Sequence, residues 1–147
     1  MKKQSYFLFL ITLLCLAFAG TNSVYAQMTK EGIKIKLFTK NDKGKSSEIK
    51  DISSILDESG LTCCTGDCEF DRIELSGQGL ISIVIRDGFS SDEGGVGGIV
   101  YENKDYNLNK KAIFKPFEQM GHGRFTVYIM KDDMTLLQFE YELLSCT

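Results

Sequence analysis

Four cysteines carry the strongest chemical signal in this 147-residue chain: Cys63, Cys64, Cys68 and Cys146. A fifth, Cys15, lies in an apolar N-terminal stretch. Four cysteines allow three pairings. Joining the neighbours Cys63 and Cys64 closes a strained ring, which ranks that pairing last. The other two each join a local pair across Thr65-Gly66-Asp67 and send one cysteine to Cys146. In the chain-entropy account, a bridge closing a loop of about 80 residues contributes on the order of 4 kcal/mol. The functional alternative is a thiol-redox centre or a metal-thiolate site on Cys63, Cys64 and Cys68. Cys-Cys-x-x-x-Cys departs from the two separated ligand pairs of structural zinc, and the chain has no Cys-x-x-Cys. Structural disulfides are therefore the expectation.

The other chemistry-bearing residues are sparse. His122 is the single histidine, set between Gly121 and Gly123 in an expected turn that meets solvent. Serine and cysteine hydrolases usually need an imidazole to take the nucleophile's proton. Residues 87–98 form a glycine-rich acidic loop, where Asp87, Asp92 and Glu93 are candidate calcium ligands, because calcium takes six to eight oxygens on a flexible backbone. The spacing is not that of an EF-hand, so a solvated loop and no cofactor is the first expectation. A glycan-cleaving enzyme would need two acids facing across a cleft. Asp87, Asp92, Glu93, Asp132 and Asp133 are available for that role, all in expected turns. Tyr101, Tyr106, Phe114 and Phe117 are candidates for an aromatic surface patch, with core as the commoner fate of phenylalanine.

These residues must be positioned by strands. Lys2 and Lys3 precede an apolar run over residues 6–19, then a polar stretch ending Val24-Tyr25-Ala26. That is the layout of a secretory leader cut after Ala26, too short to span a bilayer comfortably. The expected mature chain is residues 27–147, a single domain. The leader takes two lysines and no acid, so the remainder is more acidic than the formal −3 of the whole chain. An acidic chain argues against nucleic acid and against an anionic membrane surface. Ile33, Ile35 and Leu37 alternate with Lys34 and Lys36, a strand with one face buried and the lysines wet. A short helix or turn is expected within residues 47–58, with a hairpin back onto the first strand as the competing reading. A strand through Phe70, Ile73 and Leu75 leads to an expected tight turn at Gly77-Gln78-Gly79, then to an apolar strand over residues 80–85. Further strands are expected at residues 99–101 and 112–115, separated by polar loop over residues 103–111 and ended by Pro116, the one proline. Phe125, Val127 and Ile129, then Leu137, Phe139, Tyr141 and Leu143, alternate on either side of an Asp132-Asp133 turn.

Seven or eight short strands, with at most one short helix, predict a mainly β fold: an antiparallel β-sandwich. The closing hairpin resembles the last two strands of extracellular immunoglobulin-like modules, although the chain has no tryptophan. Gly94-Gly95-Val96-Gly97-Gly98 and Lys115-Pro116-Phe117, the latter followed by Phe125-Thr126-Val127-Tyr128, resemble two loops and a strand of the chagasin-like cysteine-protease inhibitors, which are secreted immunoglobulin-like sandwiches. The resemblance implies that Gly95, Val96, Pro116 and Phe117 would touch a protease. The family's Asn-Pro-Thr-Thr-Gly loop has no counterpart here.

Together these features predict an exported bacterial protein, periplasmic or extracellular. It would be a non-enzymatic, disulfide-stapled module that binds another protein or cell-surface macromolecule, or belongs to an envelope assembly. Its mature form would not span a membrane.

Overall fold

The computed structural model describes residues 28–56, 60–65 and 67–146. The expected leader and its cleavage point, residues 57–59 (the first two of them in the expected helix or turn), and Gly66 of the cysteine turn lie outside the described residues. Eight strands follow in chain order: β1 (Met28–Lys30), β2 (Ile33–Lys40), β3 (Ser46–Glu48), β4 (Leu61–Cys64), β5 (Glu69–Asp87), β6 (Ile99–Phe114), β7 (Gly123–Lys131) and β8 (Met134–Leu144). Two 3-10 helices, Ile52–Ile55 and Pro116–Gln119, complete the elements. The fold is mainly β, as the periodicity predicts. The strands form one curled sheet in the order β1-β2-β5-β7-β8-β4, with β3 added to β2 and β6 to β5. The sheet is mixed: β4 runs parallel to β8 while every other pair is antiparallel.

β5 organises the sheet. Along one edge it pairs with β6, from Ile73↔Phe114 to Arg86↔Ile99. Along the other edge it pairs first with β2, from Glu69↔Lys40 to Ser76↔Lys34, and then with β7, from Ile81↔Lys131 to Asp87↔Phe125. The changeover falls at Gly77-Gln78-Gly79. The tight turn expected there is absent: the strand runs through, with both glycines at positive φ (145° and 139°) and both paired to β6. Glycine lets a strand bend sharply where two neighbours diverge. A Cβ on Gly77 would sit 2.6 Å from the Gly32 carbonyl oxygen at the start of β2. A Cβ on Gly79 would meet only the flexible stem of Lys131, whose ammonium reaches over to the Glu31 carbonyl oxygen (2.8 Å). Residues on both sides of the bend, Leu75 before it and Ile81 after it, belong to one core of the curled sheet.

That core is the alternation read from the sequence. Ile33, Ile35 and Leu37 are fully buried, as are Ile73, Leu75, Ile81, Ile83 and Ile85 of β5, and Val127 and Ile129 of β7. Leu137, Phe139 and Tyr141 close it from β8. Lys34 and Lys36 point away, half-buried, and Lys36 pairs with Glu48 of β3 at 2.8 Å.

One further expectation is corrected, and for residues 47–58 both competing readings are met in part. Residues 103–111 are no loop but the middle of β6, a sixteen-residue strand. Their polarity is that of a strand at the sheet's margin, with Leu108 alone pointing fully inward. The stretch after Asn41 splits between β3 and a 3-10 helix of four residues, capped by the Asp51 carboxylate accepting from Ser53 N–H (3.0 Å). Ile52 and Ile55 stack on its one buried face, as a three-residue repeat requires. Serines and isoleucines are too weak as helix formers to extend it.

The bend yields a test. Gly77→Ala will lower the denaturant midpoint of unfolding by the equivalent of about 2 kcal/mol at unchanged slope. Gly79→Ala will cost less, because only a movable lysine stem is in the way. Equal losses would show that the changeover does not depend on backbone proximity at Gly77.

Candidate binding surface

Adjacent residues of a strand point to opposite faces, and this separates the two adjacent cysteines. Cys63 turns into the core, 1% exposed, and bonds Cys68 across the turn; Cys64 points outward and bonds Cys146. The Cα atoms are 5.3 Å apart in both bridges, an ordinary separation. Parallel pairing of β4 with β8, ending at Cys64↔Leu144, brings Cys146 within reach. Thr65 continues the connection: its N–H and its hydroxyl both donate to the Leu144 carbonyl, each at 3.0 Å.

His122 lies beside this staple. It is exposed, but its Nε2 is 2.8 Å from Thr65 Oγ1, so it ties the turn before β7 to the cysteine loop. Which of the two donates in this contact is set by the imidazole tautomer. A cleft of about 240 Å³ opens next to the pair, floored by Phe70, Phe117 and Tyr141. It is smaller than the 300–1,000 Å³ usual for small-molecule sites. Burial pushes the Tyr141 phenol above its ordinary value of 10.0; the hydrogen bond from Phe70 N–H opposes this and the Glu69 charge adds to it.

The glycine-rich loop is tied down on the outer face of β7 and β8. Phe89 is buried beneath the Arg124 guanidinium, 3.9 Å from the ring centroid. Asp92 accepts from Phe89 N–H (2.8 Å) and pairs with Arg124 (2.5 Å). Ser90 donates to Glu140 through both its N–H and its hydroxyl (2.9 and 2.8 Å), and buried Thr126 donates to the Gly88 carbonyl (2.8 Å). Of the expected calcium ligands, Asp92 is thus engaged by a guanidinium and Glu93 points into solvent. Among the described residues no three His, Cys, Asp or Glu side chains converge as a metal ion needs. Asp132 and Asp133 occupy the β7–β8 turn, both at positive φ. They lie roughly 25 Å of strand from the Asp92–Arg124 pair, far beyond the ~5–9.5 Å between paired glycosidase carboxylates.

The other candidate contacts separate as well. Gly95 is exposed and Val96 half-buried, whereas Pro116 and Phe117 are buried. The Phe117 ring lies 4.4 Å from Phe70 and 5.2 Å from Tyr141 on the core side of β8. The two loops that the resemblance would bring onto one protease therefore lie on opposite faces of the β7–β8 hairpin. Phe114 is buried too, Tyr101 half-buried, and only Tyr106 of the aromatic set is exposed.

One surface feature was not singled out from the sequence. Among the described residues β6 pairs with β5 alone, so its outer edge is free along its length. Ile99, Val100 and Ile113 on it are 51%, 48% and 53% exposed. A long unpaired edge offers a row of backbone donors and acceptors to another strand. The available signal was the period of two in Tyr106, Leu108, Ala112 and Phe114, masked by the intervening asparagines and lysines. Across β5, Arg72 lies over the Phe38 ring (3.8 Å) and pairs with Asp71 and Glu74; Lys111 of β6 also pairs with Glu74 (2.8 Å). Burial acts to raise both carboxyls, but hydrogen bonds from Ser46 and Arg72 to Asp71, and from Lys111 and Arg72 to Glu74, outweigh it. They hold the two below their ordinary 3.8 and 4.5. Compared with known proteins, the chain matches no family model and no curated sequence.

Two outcomes follow from this geometry. Replacing Cys64 and Cys146 by serine will destabilise the fold by about 2–5 kcal/mol by denaturant unfolding, more than replacing Cys63 and Cys68, whose loop is short; the reverse order would contradict the loop-length account. The depressed carboxyls of Asp71 and Glu74 bind protons more readily in the unfolded chain. Their stabilisation is present above pH 4.5 and lost as pH falls through the lower folded values. The cost of Arg72→Gln at neutral pH will therefore shrink below pH 4, and a pH-independent cost would count against the pair.

Proposed function

We propose that the chain is an exported, non-enzymatic binding or envelope-assembly module that makes contact through the free edge of β6, by adding a strand from a partner protein. The observation that carries this reading is a strand of sixteen residues bonded, among the described residues, on one side only, with Ile99, Val100 and Ile113 exposed. Strand addition takes affinity from backbone hydrogen bonds and specificity from alternate side chains. Export is supported by the two bridges, which persist in oxidising compartments, and by the leader-like first 26 residues. Among the described residues no helix is long and apolar enough to cross a membrane. Within this reading the curled sheet is a sandwich whose two layers share β5 and β6. Contact in the manner of the chagasin-like inhibitors would instead require Pro116 and Phe117 to leave the aromatic cluster.

A photo-crosslinking residue at Ile113, tested in cells that export the protein, will give a protein adduct; the same residue at exposed Lys43, in the turn after β2, will not. No adduct from Ile113, or equal labelling from both, would remove the reading.

A further inference from the structure

We propose that a cavity beside β8 takes a primary alkylammonium, the end of a lysine-like chain, with Glu140 as its counter-charge. The site is separate from the β6 edge and does not depend on what that edge binds. β4 runs beside β8 only from Leu61↔Tyr141 onward, so Glu140 is the first residue of β8 beyond its end. Gly60 closes up against it: a Cβ there would lie 2.6 Å from the Glu140 carbonyl oxygen. The glycine-rich loop also reaches it, and Ser90 gives both its N–H and its hydroxyl to Glu140 Oε1 (2.9 and 2.8 Å). Glu140 Oε2 is shielded from solvent and has no hydrogen-bond partner among the described residues. A carboxylate oxygen shut away from water without a donor costs free energy that a bound donor recovers. The fold's own cations do not supply one. Among the described residues no ion pair includes Glu140, and Arg124 on the neighbouring strand is taken by Asp92 and Glu142 (2.5 and 3.7 Å).

Glu140 lines a cavity of about 610 Å³, within the range of small-molecule sites. Ile55 and Leu56 line it from the 3-10 turn, Ser90 and Ser91 from the glycine-rich loop, and Gln138 from β8. Leu56 is 43% exposed, an apolar wall for an aliphatic stem. The Ser91 hydroxyl and the Gln138 amide oxygen can accept the ammonium's other two protons. The charge of Glu140 disfavours an anion. A guanidinium gains most by gripping both oxygens of a carboxylate. Here Ser90 occupies Oε1, and the single open oxygen suits the compact charge of an ammonium.

The test titrates the protein, recovered with both bridges intact, with Nα-acetyl-lysine amide and follows backbone amide signals by NMR. Saturable shifts are expected at Gly60, Ser90 and Ser91. The Nε-acetylated form of the probe, with the same stem and a neutral head, will produce none. Glu140→Gln will weaken binding about tenfold, and Leu56→Ser will weaken it with the charge intact; unchanged circular dichroism shows that both variants fold. Pentylamine carries the same head without peptide groups: weaker binding than the lysine probe marks a peptide as the source of the ammonium, and equal binding marks a free amine. The absence of saturable shifts, equal binding of the neutral probe, tighter binding of Nα-acetyl-arginine amide, or indifference to Glu140→Gln overturns the inference. Missing adducts at Ile113 with these shifts intact would remove the β6 reading alone.

Discussion

One strand with three partners is the constraint on which the rest of this structure depends. β5 must keep β6 on one edge throughout while exchanging β2 for β7 on the other. A flat strand of nineteen residues could not do so and also bury its apolar face. The bend at Gly77 and Gly79 resolves the conflict by folding the sheet over itself, so that Leu75 before it and Ile81 after it enter the same core. The side chains that would block the bend are absent at those positions, and Lys131 spans the gap it opens.

Folding a sheet over itself leaves an open end, and the cysteines and aromatic rings close it. The Phe70 ring lies 4.4–5.6 Å from the centroids of Phe117, Phe139 and Tyr141 where the start of β5 meets β8. The Cys64–Cys146 bridge joins the two chain segments that flank this cluster. Residues that looked available for chemistry are absorbed into the same task. His122 braces the cysteine loop, Phe117 fills the aromatic cluster, and Asp92 holds the glycine-rich loop to Arg124. What the closure leaves unused is the outer margin of β6.

The legible part of the sequence was the part whose side chains alternate strongly. β2, β7 and β8 announce themselves because one face of each is wholly apolar, and period two is then unambiguous. β6 was illegible because it is a margin: solvent reaches most of its side chains, so selection for burial leaves only Leu108, Ala112 and Phe114 as markers. The Gly77–Gly79 stretch was misread for a different reason. A glycine pair signals positive φ, and the same φ serves a chain reversal or a bend within a strand. Only the presence of neighbours on both edges distinguishes them.

By itself, the sequence determined the β class, the faces of the strongly alternating strands, and the reduction of the disulfide question to two pairings, because these follow from local period and ring strain. The tertiary structure alone decided the rest. It chose Cys63–Cys68 with Cys64–Cys146, since β4 turns one cysteine inward and the other toward the chain's end. It joined the strands into one curled sheet, buried Pro116 and Phe117, and left the edge of β6 unpaired among the described residues. Each of these depends on which distant strands lie side by side, and contacts between residues far apart in the chain leave no periodic trace in it.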